Sequence, residues 1–332
     1  MARPNVLVLA SDVLFQHFFS DETLEKLGAV TSWNRSAIRD DSPELRSQIA
    51  NADVLVTTWH SPFLVREMLG EEPRVRLIAH CGGEVKSRVA EEIFAFVTVT
   101  NAADPMARGV AEMALALTLS LVRRIPEYAT EMRDGVIRTN EYVSEGERLC
   151  GRTVGIIGFG RIGRALVKLL QPLGVEMLVS DPYVQSAAAA ASGATLVQLD
   201  ELVSSCSVVV LCAALTQETQ GMFDGHRLSL LPDGAYLINV ARGGLIDMEA
   251  LLQELRKGRI TAALDVTDPL EPLPADHELR KLPNVILTPH IAAGGIEMRR
   301  EMGAVAVEEV VRFANGLPPL NGVTLEMLAT MT

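Results

Sequence analysis

The most chemically suggestive stretch is a glycine turn, Gly158-Phe159-Gly160-Arg161-Ile162-Gly163, which follows the apolar run Val154-Gly155-Ile156-Ile157. Between a strand and a helix, each glycine has its own task. The first permits the tight turn, the second lets a pyrophosphate approach the backbone, and the third lets helix and strand pack closely. Free N–H groups at this turn, those of Arg161 and Ile162 among them, join the positive end of the helix dipole in favouring a dinucleotide. A lone glycine triplet is weak, since structural turns use it too. Here an apolar helix pattern follows (Ile162, Ala165, Leu166, Leu169, Leu170). A second strand then ends in Asp181, roughly twenty residues on, where a carboxylate bonds the adenosine ribose hydroxyls. That carboxylate repels a 2′-phosphate, and Pro182-Tyr183-Val184 supply no cation to hold one, so NAD is expected rather than NADP.

Three later strand ends carry reactive side chains. Tyr236-Leu237-Ile238-Asn239-Val240 runs into Ala241-Arg242-Gly243-Gly244. An arginine at the carboxyl edge of a parallel sheet grips a carboxylate or carbonyl through parallel N–H groups. Ala263-Leu264-Asp265-Val266 ends another strand, with Glu271-Pro272 in the proline-rich loop behind it, and Leu287-Thr288-Pro289-His290 ends the last. Taken singly, such an arginine serves equally well in a surface salt bridge, and a single histidine is more often structural than catalytic. The joint pattern is what counts.

The elements that must position these groups alternate along the whole chain. Short apolar runs at 6–9, 53–57, 75–79 and 96–100 read as strands, with helical patterns at 21–27 and 43–50. A second series has strands at 154–158, 175–181, 208–212, 235–240, 260–266 and 285–288, and helices at 161–173, 186–191, 199–205 and 247–257. The stretch 295–313 is helical again. Strand–helix alternation predicts an α/β protein of two doubly wound parallel-sheet domains.

Bulk properties agree. A chain of 332 residues is too long for one comfortable core. A formal net charge of −12 argues against a nucleic-acid partner. The apolar stretch 110–122 is shorter than the ~20 residues of a membrane span and reads as a buried helix. It is also too apolar to face water, so it packs on a second core or a partner chain. Cys81, Cys150, Cys206 and Cys212 show no paired metal-site spacing and read as small buried hydrophobes in a reducing compartment. No metal site is expected. The first residues show no signal-peptide arrangement, so a cytoplasmic protein without membrane attachment is expected.

Jointly, the glycine turn with Asp181, the segment Asn239 to Gly244, Ala263-Leu264-Asp265-Val266 with Glu271-Pro272, and Thr288-Pro289-His290 resemble the D-isomer-specific 2-hydroxyacid dehydrogenase family in order and spacing. The resemblance covers nearly the whole chain. It implies an active site of Arg242, Glu271 and His290, with Ala241 and Asp265 among the cofactor contacts, Asp265 at the nicotinamide end. It implies a discontinuous flavodoxin-like substrate domain, residues 1–104 plus 294–332, and a Rossmann NAD-binding domain at 105–293. It also implies a homodimer and a small D-2-hydroxy or 2-oxo acid as substrate. The chemistry fits those roles. Neutral imidazole takes the hydroxyl proton as hydride leaves the same carbon, and imidazolium returns it in reverse. A carboxylate on the other ring nitrogen fixes the tautomer and favours imidazolium. The arginine anchors the substrate carboxylate and polarises the 2-oxo group. Formate-oxidising relatives carry Gln where this chain has Glu271, which points to a hydroxy acid.

The chain departs from the family at His80-Cys81-Gly82-Gly83-Glu84-Val85-Lys86-Ser87, where the usual G-x-G-x-D-N loop loses its D-N pair. Gly82 and Gly83 keep backbone donors for a carboxylate, and Lys86 adds a positive charge or is merely solvated. Trp59 and His60 follow a strand end and are candidate substrate contacts, with plain core packing the alternative for Trp59. His17, His80, His226 and His277 have no partner pattern and read as structural or surface residues. The regulatory domains of larger phosphoglycerate dehydrogenases are not expected. Two other functions remain open: an NAD-sensing, corepressor-like binding protein, and a dehydrogenase of the same fold acting on an inorganic substrate such as phosphite. Pocket size is expected to depend on the loops after Val56 and Ala79 and on the stretch 128–150.

Overall fold

The computed structural model describes residues 3–139 and 144–331. The expected pocket-shaping stretch 128–150 thus includes four residues, 140–143, that lie outside the described residues. The chain divides into two compact units, Met1–Met106 with Gly294–Thr332 and Ala107–Ala293.

The first unit begins with β1 (Asn5–Leu9), α1 (Asp12–Phe18), α2 (Asp21–Val30), β2 (Ser32–Ser36), α3 (Pro43–Ala50), β3 (Val54–Thr57), β4 (Leu77–His80) and β5 (Thr98–Asn101). Ser11, Ser20 and Ser42 each accept an N–H from the first turn of the helix they precede, which fixes where α1, α2 and α3 start. Every position of β3 and β4 is buried, as expected of strands covered on both faces. β2 and α1 had no counterpart among the expected elements. β2 is an edge strand, Ser-Trp-Asn-Arg-Ser, that buries only its last residue and so shows no apolar run.

Next come α4 (Ala103–Val122) and α5 (Ile125–Arg133). The buried helix expected at 110–122 is the second part of a longer one. Pro105 falls in its first turn, where a missing N–H costs nothing. At 20 residues α4 is long and apolar enough to cross a membrane, yet half of its most apolar window is buried within the protein. Its inward face carries Ala107, Val110, Ala114, Leu117 and Leu121.

The second unit then winds through β6 (Thr153–Ile157), α6 (Arg161–Leu170), β7 (Glu176–Ser180), α7 (Ser186–Ala190), β8 (Thr195–Leu196), α8 (Leu199–Ser205) and β9 (Val208–Leu211). It continues with α9 (Gly225–Leu230), β10 (Tyr236–Asn239), α10 (Met248–Arg256), β11 (Thr261–Leu264) and β12 (Val285–Leu287). Its seven strands are all parallel, in the order β12-β11-β10-β9-β6-β7-β8, and reverse direction of winding between β6 and β9.

The chain finally returns to the first unit with α11 (Ile296–Ala314) and β13 (Gly322–Val323). The first sheet runs β13-β5-β4-β3-β1-β2 and is parallel except at β13, an antiparallel edge strand of two residues that a purely parallel expectation lacks. Its switch point lies between β1 and β3, where Thr58 Oγ1 and Ser61 Oγ both donate to the Leu9 carbonyl at 2.9 Å. The protein is thus an α/β chain with one doubly wound sheet per unit.

Candidate active site

The glycine turn joins β6 to α6 beside the switch point of the second sheet. Gly158 has φ +91°, and a Cβ there would lie 2.6 Å from the backbone of Ala213. At Gly163 a Cβ would lie 2.2 Å from the Gly158 carbonyl oxygen, so helix and turn touch only because that position is glycine. Around Gly160 nothing lies within 4 Å. The first and third glycines therefore serve the protein's own packing, and the second leaves the open approach that a pyrophosphate needs.

Asp181 stands just past β7. Its Oδ2 accepts the Phe159 N–H at 2.8 Å and its Oδ1 accepts the Tyr183 N–H at 2.9 Å, so the carboxylate is tied to the glycine turn itself. Tyr183 OH donates to Glu218 Oε2 at 2.9 Å. Glu218, then burial, then Asp181 hold the Tyr183 phenol above its ordinary pKa. Glu218 was not foreseen, because it comes from a different loop 35 residues away. Through Tyr183 it adds a second acid close to Asp181.

Arg242, Glu271 and His290 leave three adjacent strands. In the ladder Asn239 pairs with Leu264 and Leu264 with Leu287, so β10, β11 and β12 end level. Arg242 lies three residues beyond Asn239, and His290 three beyond Leu287. With strands about 4.8 Å apart, these equal offsets bring both residues out at one edge. Buried Asn239 fixes the arginine's turn. Its Nδ2 donates to the Arg242 carbonyl at 2.9 Å, and its Oδ1 accepts the Ala241 N–H at 3.0 Å. A Cβ on Gly243 would lie 2.2 Å from the Thr267 carbonyl carbon, which locks this turn against the loop after β11. Arg242 Nη1 donates to the Ala241 carbonyl at 2.8 Å.

In that loop the Thr267 hydroxyl donates to the Leu270 carbonyl at 2.6 Å, just ahead of Glu271. Glu271 Oε2 lies 3.2 Å from His290 Nδ1, with the two side chains 40% and 45% exposed. The pairing leaves His290 Nε2 as the nitrogen for a reacting group. His290 adopts a left-handed φ of +52°, an uncommon backbone for a non-glycine residue. Its N–H donates to the Asp265 carbonyl at 2.9 Å. Asp265 is 1% exposed. Its carboxylate accepts the Thr288 hydroxyl at 2.5 Å, the Ile291 N–H at 3.0 Å and the Ala292 N–H at 2.9 Å. The loop that bears His290 is therefore moored to one buried carboxylate.

The substrate-side candidates all lie in the first unit. A Cβ on Gly82 would lie 2.5 Å from His80 Nε2 and 2.8 Å from Trp59 Nε1, so Gly82 and Trp59 are neighbours. Gly83 packs on Met106, and its carbonyl accepts the Asn101 amide at 2.6 Å. Lys86 is exposed, while Glu84 is taken up by the Ser87 N–H at 2.6 Å and hydroxyl at 2.5 Å. His60 lines a depression with Arg39 and Arg88, neither of which the sequence singled out. Trp59 packs edge-on against Phe18, with the Arg299 guanidinium 5.2 Å from its ring.

His80 is buried within the first unit. It is 1% exposed, shares a 2.9 Å hydrogen bond with Thr57, and has its pKa driven down to about 3, first by burial and then by Arg88. His17 likewise has a partner, Arg299, at 2.8 Å. Burial pushes the Cys206 and Cys212 thiols up to about 12, whereas Cys150, expected to be buried, is exposed.

The second unit is thus a Rossmann-type dinucleotide-binding fold with a histidine–carboxylate pair at the carboxyl edge of its sheet. The family model described as "D-isomer specific 2-hydroxyacid dehydrogenase, NAD binding domain" matches residues 115–292. The glyoxylate reductase of Thermococcus onnurineus is 33% identical over 292 residues, covering 86% of this chain and 86% of that protein. The D-3-phosphoglycerate dehydrogenase of Methanocaldococcus jannaschii is 32% identical over 314 residues, 94% of this chain and 58% of that protein. The chain spans about half the length of the phosphoglycerate dehydrogenases it matches, 43% and 58% in two of them. A solved protein of Thermus thermophilus superimposes with a TM-score of 0.78 at 31% identity, covering 96% of this chain and 100% of that one.

The chain belongs to the D-isomer specific 2-hydroxyacid dehydrogenase family, and its dinucleotide is a nicotinamide one.

Proposed function

We propose that the protein transfers a hydride between NAD(H) and C2 of a small D-2-hydroxy or 2-oxo acid. The 3.2 Å pairing of His290 Nδ1 with Glu271 Oε2, on the same sheet as the dinucleotide turn, carries this reading. The bound nicotinamide supplies or takes up the hydride. His290 takes the substrate hydroxyl proton at Nε2 in oxidation and returns it to the carbonyl oxygen in reduction. Glu271 holds the Nδ1–H, which fixes the tautomer and offsets the positive charge of the protonated ring. Arg242 holds the substrate carboxylate and polarises the carbonyl. Gly158, Gly160, Arg161, Ile162, Gly163, Asp181 and Ala241 hold the cofactor, and Asp265 acts at its nicotinamide end by mooring the His290 loop. The acid pair Asp181 and Glu218 favours NAD over NADP. Gly82, Gly83, Lys86, Trp59 and His60 serve the substrate from the first unit.

The direct test is NADH oxidation with glyoxylate, hydroxypyruvate, pyruvate and phenylpyruvate. Turnover of at least one is expected, with NADH preferred over NADPH. Protein shown to bind NADH that turns over none of them would refute the reading. We also place the protein in the cytoplasm as a homodimer. Met113, Leu115 and Leu119 on α4 are only half-buried, and Ile125 and Met132 on α5 are exposed. Sedimentation at micromolar concentration giving a monomer mass would contradict the dimer.

A further inference from the structure

The first unit holds a depression of about 310 Å³ lined by Arg39, Asp40, Trp59, His60, Ser61 and Arg88. Segments leaving three parallel strands build it. Arg39 and Asp40 follow β2, Trp59 to Ser61 follow β3, and Arg88 lies in the segment after β4. β3 flanks the switch point with β1, and open α/β sheets bind ligands at the carboxyl ends of their strands beside that point.

Neither Arg39 nor Arg88 has an ion-pair or side-chain hydrogen-bond partner among the described residues. Asp40, the carboxylate in the lining, is exposed and pairs with neither of them. Ser61 is committed to the Leu9 carbonyl and the Thr58 N–H. His60 Nδ1 is buried without a hydrogen-bond partner. Burial, then Arg39, then Arg88 hold the His60 pKa below its ordinary value, so both guanidiniums act on the same imidazole. In a chain with 42 acidic residues against 30 basic ones, two arginines left unpaired around one depression are charges awaiting a counter-ion. Guanidinium forks match the oxygens of carboxylate and phosphate.

We propose that this depression is an oxyanion subsite, in which Arg39 and Arg88 grip a carboxylate or phosphate group and the His60 ring completes the contact. Resting on the function proposed above, this defines a substrate class: 2-oxo acids with a second acidic group besides the one at C1.

The kinetic arm compares NADH oxidation by glyoxylate with that by oxaloacetate, 2-oxoglutarate and 3-phosphohydroxypyruvate, in the parent and in an Arg39→Ala/Arg88→Ala double variant. The ratio of KM for the best two-acid substrate to KM for glyoxylate is expected to rise at least about tenfold in the variant. The binding arm needs no turnover. Inorganic phosphate added to histidine-labelled parent protein should move the His60 ring signals and raise the His60 titration midpoint, and the double variant should show neither effect. A changed KM ratio supports the subsite as the holder of the substrate's second acid. A phosphate response with an unchanged ratio supports the subsite and assigns it to a free anion. Absence of both overturns it. A phosphate response without turnover of any 2-oxo acid counts against the proposed function and leaves the subsite standing.

Discussion

Replacing Asp265 by Asn probes how the histidine is held. The buried carboxylate accepts from Thr288 and Ile291 at Oδ1 and from Ala292 at Oδ2. Asparagine keeps an acceptor for the first two but turns an NH2 group towards the Ala292 N–H. One bond to a charged acceptor is lost, worth about 1.5–3 kcal/mol, and the two that survive weaken to neutral ones. The expected total is about 3 kcal/mol, which lowers the melting temperature of a unit this size by roughly 6–12 °C. Because the same loop carries His290, kcat should fall about tenfold to a hundredfold, while the Kd for NADH, by fluorescence titration, changes far less. Thr288→Val, which deletes one of the three bonds, should move both quantities the same way by less. The reasoning fails if Asp265→Asn leaves melting and kcat unaltered and weakens NADH binding alone, since the carboxylate would then act on the cofactor directly.

Three other perturbations follow from the geometry. Buried His80 has a folded pKa of about 3 against an ordinary 6.5, so the unfolded chain takes up the proton first. Its contribution is therefore intact above pH 6.5 and is lost as pH falls towards 3, a loss of roughly 5 kcal/mol. Urea midpoints followed by tryptophan fluorescence report this unit, since Trp33 and Trp59 are the chain's 2 tryptophans, and His80→Gln should flatten their pH dependence over that range. Gly163→Ala forces a Cβ to within 2.2 Å of the Gly158 carbonyl oxygen. NADH affinity should drop at least about tenfold, and unchanged affinity would show that the turn is not the binding element. Glu271→Gln keeps a hydrogen-bonding group 3.2 Å from the imidazole but removes its charge, so kcat for 2-oxo acid reduction should fall by about 10²-fold with the fold intact by circular dichroism.

Much of the second unit was legible because its signals are local. A glycine triplet, an aspartate at the next strand end and apolar runs terminating in Arg242 and His290 can all be read without knowing what packs on what. The features that escaped are those made by distant segments. β2 is a polar edge strand, so neither it nor Arg39 behind it announced itself. Arg88 lies in an irregular segment, and its approach to His60 depends on how the loops after β3 and β4 fold together. Glu218 meets Tyr183 across 35 residues, and the three bonds to Asp265 span 23 to 27. α4 extends beyond the apolar run 110–122 because Asp104, Pro105, Arg108 and Gly109 interrupt the apolar pattern over its first turns.

The level endings of β10, β11 and β12 make the sheet a ruler for the reacting groups. Peptide hydrogen bonds set the spacing, so Arg242 and His290 are positioned by counting three residues from a common line. The crossover from β10 to β11 is then an interchangeable spacer, whereas the one from β11 to β12 carries Glu271. Residues added to or trimmed from α10 leave the count untouched. A single residue deleted from β12 turns its side chains to the opposite face and carries His290 away from Glu271. Variation in length should therefore accumulate in the helices and stop abruptly at the strands.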